Sequence, residues 1–202
     1  MTKVKICGIT NSEDALEALR LGADAIGLVF AKSPRRVTIS KAKEIIKAVG
    51  PWTSVVGVFA GESLKAVEQI ARDCRLSAIQ LHGDEDNSYV KRLSSFKIIK
   101  AFRIADASDL KGTGLAKADA LLFDTKIEGE LGGTGKRFDW GLLSAKKFNK
   151  PVIISGGLNP RNVRDAIQLL HPYGVDVSSG VESAPGKKDF RLMREFIQNV
   201  KK

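Results

Sequence analysis

The chain has 202 residues, 43% of them hydrophobic and 28% charged, which is enough for one sizeable core and short for two full domains. No apolar run approaches the roughly 18 residues that a membrane helix needs, and the first residues carry no signal-peptide core, so we expect a cytoplasmic protein. The formal charge of +10 comes from lysines and arginines interleaved with acidic residues, without a basic run or an RNA-binding signature, so we expect small anionic partners rather than nucleic acid.

Cysteine and histidine usage bears on two further kinds of site. The two cysteines, Cys7 and Cys74, are too few for a disulfide framework. No CxxC pair or histidine pair has the spacing of a metal site. We therefore expect no bound metal.

Eight short apolar stretches, each bounded by turn residues, predict eight β-strands. Most are nearly continuous in Val, Ile, Leu and Ala, as is typical of parallel strands that are buried on both faces. The predicted strands are residues 4–9, 25–30, 54–59, 78–82, 97–102, 120–125, 152–155 and 175–179.

The first segments between these strands carry helix signals. Asn11 is the predicted N-cap of a helix that Gly22 ends. Ser40 precedes a predicted helix over residues 41–49, which stops at Gly50 and the proline after it.

Later segments repeat the pattern. Apolar residues at helical spacing predict helices over residues 62–73 and 189–200. Asn159 is the predicted N-cap of another helix, with Pro160 at its first position, where the missing N–H of proline costs nothing. The weakest unit is the fifth, because residues 106–117 contain two glycines and are expected to be barely helical.

The strand–helix alternation runs through residues 1–202 without a linker, a low-complexity tract or a charge block. Eight such units are typical of a closed parallel barrel, so we predict one α/β domain with the (β/α)8 TIM-barrel fold. An open doubly wound sheet is the alternative, because alternation alone does not prove closure.

In such a barrel the chemistry lies at the carboxyl ends of the strands, so polar residues that end apolar strands are candidates. A lone cysteine in an apolar strand is usually a small core residue, which suits Cys74. Cys7 differs because it ends the first strand and shares a face with Lys5, whose charge could favour the thiolate. The strand ends are Cys7-Gly8, His82-Gly83, Asp124-Thr125, Ser155-Gly156-Gly157, and Asp176 with Ser178-Ser179-Gly180.

Asp124 ends the sixth strand after three large apolar residues. A carboxylate there is either a local cap or a general acid whose pKa is raised by its apolar surroundings. Eight strands about 4.8 Å apart and tilted by about 36° put the Cα atoms of Cys7 and Asp124 roughly 14 Å apart. If both side chains point inward, a sugar fits between them and a direct hydrogen bond does not.

Glycine-rich turns after the last three strands predict an anion site. Glycines let backbone N–H groups close around an oxyanion, and phosphate binding after the seventh and eighth strands recurs in barrels. None of these turns matches the P-loop or dinucleotide pattern. The candidate phosphate-binding residues are Gly133, Gly135, Gly156, Gly157, Ser179 and Gly180.

Charged residues near the strand ends give softer signals. His82 is either a ligand contact or a satisfied residue of the rim. Arg35 and Arg36 lie in the loop after the second strand, where a guanidinium could hold a carboxylate bidentately, although solvated surface charge is the default interpretation.

Nine segments match, in colinear order, the motifs of one known family. They are residues 5–10, 33–35, 56–59, 80–83, 123–125, 132–136, 138–140, 155–160 and 176–182. The combination of KICGIT, GGTGKxFDW and DVSSGVE is highly specific. On these residues the chain resembles the phosphoribosylanthranilate isomerases of tryptophan biosynthesis.

The resemblance implies a cofactor-independent Amadori rearrangement of N-(5′-phosphoribosyl)anthranilate to 1-(2-carboxyphenylamino)-1-deoxyribulose 5-phosphate. It implies that Cys7 is the general base, that Asp124 is the general acid and that Arg35 holds the substrate carboxylate. His82 and Asp176 would be further substrate contacts, and the glycine turns would hold the phosphate. The expected partner is this phosphorylated small molecule, with no nucleic acid and no membrane, and the chain is expected to be a monomer or a homodimer.

Two departures from the family pattern matter. The loop after the second strand is one residue shorter than is common, which leaves Arg36 as an alternative to Arg35, and Phe123 stands where Leu is usual. Two other functions stay open. A Schiff-base aldolase would need a strand-borne lysine such as Lys100 or Lys126, and a non-catalytic protein would bind phosphorylated ligands or RNA.

Overall fold

A computed structural model describes residues 1–125 and 139–202 of the chain. Within these ranges eight parallel strands form a closed barrel in the order β1 to β8. The barrel closes where β8 pairs with β1, so the predicted TIM barrel is confirmed and the open sheet is excluded. The strands are β1 (Lys3–Ile6), β2 (Ala25–Val29), β3 (Ser54–Phe59), β4 (Ala78–Leu81), β5 (Ile98–Ile104), β6 (Ala120–Thr125), β7 (Val152–Ile154) and β8 (Gly174–Val177).

Several strands end before the residues that the apolar stretches predict. The prediction that β1 runs to residue 9 is wrong, because Gly8 has a φ of +73° and interrupts the extended backbone directly after Cys7. His82 and Ser178 likewise follow the last residues of β4 and β8. The polar candidates therefore stand at the carboxyl ends of their strands, an end of the barrel that we call the mouth.

Helices connect the strands on the outside. Asn11 caps the first helix as predicted, since its side chain accepts a hydrogen bond from Asp14 N at 2.8 Å. The second helix begins at Ile39 because Thr38, whose hydroxyl accepts from Lys41 N, is its cap instead of Ser40. The helices are α1 (Ser12–Arg20), α2 (Ile39–Val49), α3 (Leu64–Asp73), α4 (Asn87–Arg92), α5 (Gly141–Ser144), α6 (Val163–Leu170) and α7 (Phe190–Lys201). Within the described ranges none has the length and apolar content needed to cross a membrane.

Asn159 makes the contacts predicted for an N-cap, but α6 begins later than predicted, at Val163. The carbonyl oxygen of Asn159 accepts hydrogen bonds from Asn162 N at 3.3 Å and Val163 N at 3.1 Å. The side chain of Asn159 accepts from Arg161 N at 2.9 Å, and Asn162 Oδ1 accepts in return from Asn159 N at 2.9 Å. Asn159 therefore caps a turn over residues 160–162, and Asn162 stands directly before the helix. This turn keeps the segment after β7 close to the barrel mouth.

The weak fifth unit and the end of the chain depart from regular strand–helix alternation. As predicted, the segment between β5 and β6 is barely helical and consists of two 3-10 turns, Ala107–Leu110 and Thr113–Leu115. After β8, a 3-10 turn at Ser179–Val181 leads into a short antiparallel hairpin of β9 (Glu182–Ala184) and β10 (Lys187–Lys188). This hairpin brings Glu182 and Lys188 to the mouth.

Alternation along the strands separates two apolar layers. Residues such as Ile79 and Leu81 pack in the large cluster that includes the helices. The residues between them face the barrel interior, where two smaller clusters form. Their buried members are Cys7, Val29, Ala31 and Val58 in one cluster, and Ala101, Ala120, Leu122 and Ile153 in the other.

Polar side chains just before β2, β4 and β6 each accept a hydrogen bond from a backbone N–H near the start of the preceding strand. Asp24 Oδ2 accepts from Val4 N at 2.9 Å, and its carboxylate also pairs with Lys3 and Lys201. Partial burial alone would raise the pKa of Asp24, but the hydrogen bonds from Lys201, Val4 N and Lys3 outweigh it, so the pKa is lowered. The two equivalent contacts are Ser77 Oγ with Val55 N at 3.1 Å and Asp119 Oδ2 with Ile98 N at 2.8 Å.

We expect Asp24→Ala to lower the free energy of unfolding by about 1–3 kcal/mol at neutral pH, because it removes charged acceptors of several hydrogen bonds. Since the folded pKa of Asp24 is depressed, its contribution is present above the unfolded value of about 3.9 and is lost as the pH falls through the folded value. Urea unfolding of both proteins between neutral and acidic pH measures this. Asp84→Ala is the control, because the Asp84 side chain is 95% exposed; an equal loss in both variants would contradict the account.

Candidate active site

Four of the polar residues predicted for the site meet at the barrel mouth. His82 follows β4 and Asp124 belongs to β6, yet His82 Nε2 lies 3.1 Å from Asp124 Oδ2. Because β5 separates these strands, the contact requires both side chains to point into the barrel. Cys7 reaches the same interior from β1, where it packs with Val29. Asp176 reaches it from β8, next to β1.

An ion pair lies inside the barrel beneath Cys7. Lys5 Nζ donates to Asp176 Oδ1 at 2.8 Å, and the two side chains are only 7% and 4% exposed. The side chains of Lys5 and Cys7 lie side by side, because a Cβ at Gly27 would be 3.0 Å from Lys5 Cε and 2.8 Å from the sulfur. Asp176, which the resemblance assigns to the substrate, is therefore held by Lys5 in this structure.

Burial controls the ionisation of Cys7. It is the largest influence and raises the pKa of the thiol, while the charge of Lys5 lowers it and the charge of Asp176 raises it. The net pKa of Cys7 is above its ordinary value. The expectation that Lys5 favours the thiolate is right in sign, but burial outweighs it. Gly27 lies close by, since a Cβ there would be 2.8 Å from the sulfur.

The carboxyl group of Asp124 is buried and tightly packed. Its Oδ1 accepts from Thr125 N at 2.8 Å, and its Oδ2 faces His82. Gly156, with a φ of +81°, lies against it, and a Cβ there would come 2.6 Å from Oδ1 and overlap Thr125. Gly156 is thus required for the close packing of the loop after β7 against the carboxyl group, a role separate from phosphate binding.

Gln80 supports His82, although no sequence pattern marks it as a site residue. Gln80 is 1% exposed and lies two residues before His82 on the same face of β4. Its Nε2 lies 3.2 Å from His82 Nδ1. The available signal was a polar amide in a strand that is otherwise apolar.

Arg35 lies at the site, whereas Arg36 is exposed. The Arg35 Nε and Nη2 atoms donate to the two carboxylate oxygens of Glu182 at 2.9 and 2.7 Å. Lys188 Nζ donates to the same carboxylate at 2.8 Å. Burial alone would raise the pKa of Glu182, but Arg35 and Lys188 outweigh it, so the pKa is lowered. The sequence pattern does not indicate this role of Glu182, although the residue lies in the DVSSGVE segment, and it gives no role to Lys188.

The turns after β7 and β8 contact one another. Gly156 and Gly157 have φ values of +81° and +68°, which suit glycine. Gly180 follows Ser179 and packs so closely on the carbonyl of Leu158 that a Cβ would overlap it. The structure therefore brings together four predicted phosphate residues, while Gly133 and Gly135 lie outside the described residues.

The lysine required by an aldolase is not placed at the site. Lys100 is buried outside the interior clusters, where its Nζ donates to Glu85 at 2.9 Å and to Gly83 O at 2.5 Å. Lys126, the other candidate, lies outside the described residues. Within the part of the chain that is described, no group of three or more His, Cys, Asp or Glu side chains is placed to hold a metal ion.

Known proteins are similar to this chain over almost its whole length. The family model for N-(5′phosphoribosyl)anthranilate (PRA) isomerase matches residues 4–199. An N-(5′-phosphoribosyl)anthranilate isomerase of Caldanaerobacter subterraneus is 47% identical over 201 residues, covering 100% of this chain and 98% of the relative. The crystal structure of the Thermotoga maritima phosphoribosyl anthranilate isomerase has a TM-score of 0.94 and 41% identity, covering 100% and 99% of the two chains.

A second crystal structure of a phosphoribosyl anthranilate isomerase holds reduced 1-(o-carboxyphenylamino)-1-deoxyribulose 5-phosphate. It has a TM-score of 0.90 and 39% identity, again over 100% and 99% of the two chains. The match of the family model across almost the whole chain and the identity to the relative are decisive. The chain belongs to the N-(5′-phosphoribosyl)anthranilate isomerase family, whose members are isomerases of tryptophan biosynthesis.

Proposed function

We propose that Cys7 is the general base and Asp124 the general acid of an Amadori rearrangement that converts N-(5′-phosphoribosyl)anthranilate into 1-(2-carboxyphenylamino)-1-deoxyribulose 5-phosphate. The observation that carries the assignment is the presence of a thiol beside a lysine side chain and a carboxyl group beside an imidazole in one mouth. The ligand of a similar structure, a reduced form of this product, supports the choice of substrate.

The acid acts first. Protonated Asp124 donates its proton to the ring oxygen of the furanose, the bond from that oxygen to C1 breaks, and the nitrogen lone pair forms a cationic iminium with C1. Asp124 is left as a carboxylate, close to His82 Nε2. Its side chain is only 7% exposed, so water competes little for this proton.

The base acts second. The thiolate of Cys7 removes the proton from C2, and the released electron pair moves toward the iminium to give a neutral enolamine. The ammonium of Lys5 stabilises the thiolate, because it is the adjacent positive charge. The iminium makes the C2 proton more acidic, so the nitrogen of the substrate serves as the electron sink.

Tautomerisation of the enolamine completes the reaction. C1 gains a proton and the hydroxyl on C2 loses one, which gives the ketone. Cys7 gives up the proton it had taken and Asp124 regains one, so the protein returns to its starting state with no net proton change. The reaction is an isomerisation without external oxidant or reductant, and we propose no cofactor for it.

Binding groups around the mouth would position the substrate. Arg35 would hold the anthranilate carboxylate through Nη1, because Glu182 accepts from Nε and Nη2. His82 and Asp176 would contact the sugar. The phosphate would lie at Gly133, Gly135, Gly156, Gly157, Ser179 and Gly180, whose backbone amides and glycine conformations suit an oxyanion.

The remaining proposals concern the chain as a whole. We propose that residues 1–202 act as one domain, in the cytoplasm, as a monomer or a homodimer, with the phosphorylated substrate and no nucleic acid as partner. Lys100 does not support a Schiff-base mechanism, because its ammonium donates hydrogen bonds to Glu85 and to two backbone carbonyls.

Cys7→Ala and Asp124→Asn are each expected to lower kcat by about 10²–10⁴-fold or more, because each removes one proton-transfer group. Loss of phosphoribosylanthranilate fluorescence measures turnover, and circular dichroism reports the fold. Cys74→Ala is the matched control, since Cys74 ends α3 away from the mouth. Turnover close to wild type by either test variant would remove its residue from the mechanism.

Arg35→Ala is expected to raise KM by about tenfold or more with a smaller change in kcat, because it removes binding that ground state and transition state share. Glu182→Gln should raise KM less, because it keeps Arg35 and only weakens the ion pair that positions it. Arg36→Ala is the control, because Arg36 is exposed. If Arg36→Ala raises KM and Arg35→Ala does not, the carboxylate assignment is wrong.

The pH dependence of Cys7 alkylation tests the raised pKa. In a Cys74→Ala background the iodoacetamide reaction of the folded chain should have its midpoint above the ordinary thiol value of about 8.5, because the thiolate is the nucleophile. The same chain in denaturant is the control and should return to that value. A folded-state midpoint below the control would contradict the burial argument.

A further inference from the structure

Gln80 is a buried amide with one end unsatisfied. It lies in β4 between Val58 of β3 and Ile99 of β5, and it is 1% exposed. Its Nε2 has His82 Nδ1 as partner at 3.2 Å, whereas its Oε1 has no hydrogen-bond partner in the described part of the chain. A half-satisfied amide in an apolar barrel lowers stability. Methionine or leucine would fill this space without that cost, so the amide is better explained by its effect on His82.

The contact with Gln80 determines which nitrogen of His82 carries the proton. When Gln80 donates to Nδ1, that nitrogen must be the unprotonated one in a neutral ring. The proton is then on Nε2, which lies 3.1 Å from Asp124 Oδ2. With this tautomer His82 presents an N–H group, and not a lone pair, to the carboxyl group of Asp124.

The Nε2–H group is close to Asp124 but not aligned with it. Although the two atoms are 3.1 Å apart, Nε2 forms no hydrogen bond with good geometry in the described residues. A contact that is weak at rest and can strengthen when Asp124 becomes negative favours the state in which the proton has left. Such geometry is typical of catalytic hydrogen bonds before substrate binds.

We propose that Gln80 is a positioning residue, which holds His82 in the Nε2–H tautomer so that His82 stabilises the Asp124 carboxylate formed on proton donation. The proposal rests on the proposed function of Asp124 as the acid. No proton moves between Gln80 and His82, and the imidazole stays neutral throughout. The amide acts through the ring and does not touch the substrate.

Nitrogen NMR of the wild-type chain tests the tautomer directly. The chain has two histidines, so ¹⁵N-histidine labelling gives two rings, and His171→Asn identifies His82 by difference. Asn suits position 171, whose φ is +44°. At about pH 8, above the ordinary histidine pKa of about 6.5, we expect the His82 proton on Nε2. A proton on Nδ1 would overturn the proposal, whether or not the chain is an isomerase.

Gln80→Met and Gln80→Glu test the consequence for catalysis. Gln80→Met keeps the volume and removes the amide, so we expect kcat to fall about tenfold to a hundredfold at an unchanged KM, with a Tm equal to or above wild type. Gln80→Glu accepts from Nδ1–H, so it should move the proton to Nδ1 and lower kcat similarly. A purely structural amide predicts the reverse for Gln80→Met, namely a lower Tm with kcat within about twofold of wild type.

The outcomes separate this proposal from the proposed function. If the wild-type chain does not consume phosphoribosylanthranilate, the proposed function is wrong. The NMR measurement still tests the His82 tautomer in that case. If wild type is active and both variants keep its kcat, Gln80 has no positioning role. If Gln80→Met does not fold, the NMR result and Gln80→Glu still decide the matter.

Discussion

The ion pair of Lys5 and Asp176 lies at the seam where β8 meets β1, and the site depends on it. The two residues are direct neighbours in the register of these strands, and both are nearly inaccessible to solvent. Removing one partner of such a pair typically costs about 3–5 kcal/mol, because the other charge stays buried. Closure of the barrel in any other register would separate these charges. The same register fixes the next inward position of β1, which is Cys7.

The two proposed catalytic groups have different surroundings, and the difference matches their proposed roles. Cys7 has a positive charge beside it, which favours the thiolate, although burial outweighs this charge and the pKa of the thiol is raised. Asp124 has a ring nitrogen and a backbone N–H beside it, and donors at these positions stabilise the carboxylate that proton donation leaves. When two titratable groups of one cavity have different surroundings, one can act as an acid and the other as a base at the same pH.

The sequence predicted what depends on local pattern. Continuous apolar stretches identified the barrel strands, and the rule that chemistry follows strand ends made Cys7, His82, Asp124 and Asp176 candidates, which the structure brings to one mouth. Local sequence pattern could not predict contacts between residues that are distant in the sequence. An example is the ion pair of Arg35 and Glu182, which are 147 positions apart. Gln80 was missed because its partner is a ring nitrogen whose direction depends on β6 as well as β4.

The central claim is that one ligand contacts both the thiol and the carboxyl group. A crystal structure of this chain with the reduced aminoketose phosphate bound tests it most directly. The account predicts the sulfur of Cys7 and the carboxyl group of Asp124 on opposite sides of the same sugar chain, with the phosphate at the turns after β7 and β8. A ligand that touches only one of these two groups, or that lies outside the mouth, would contradict it.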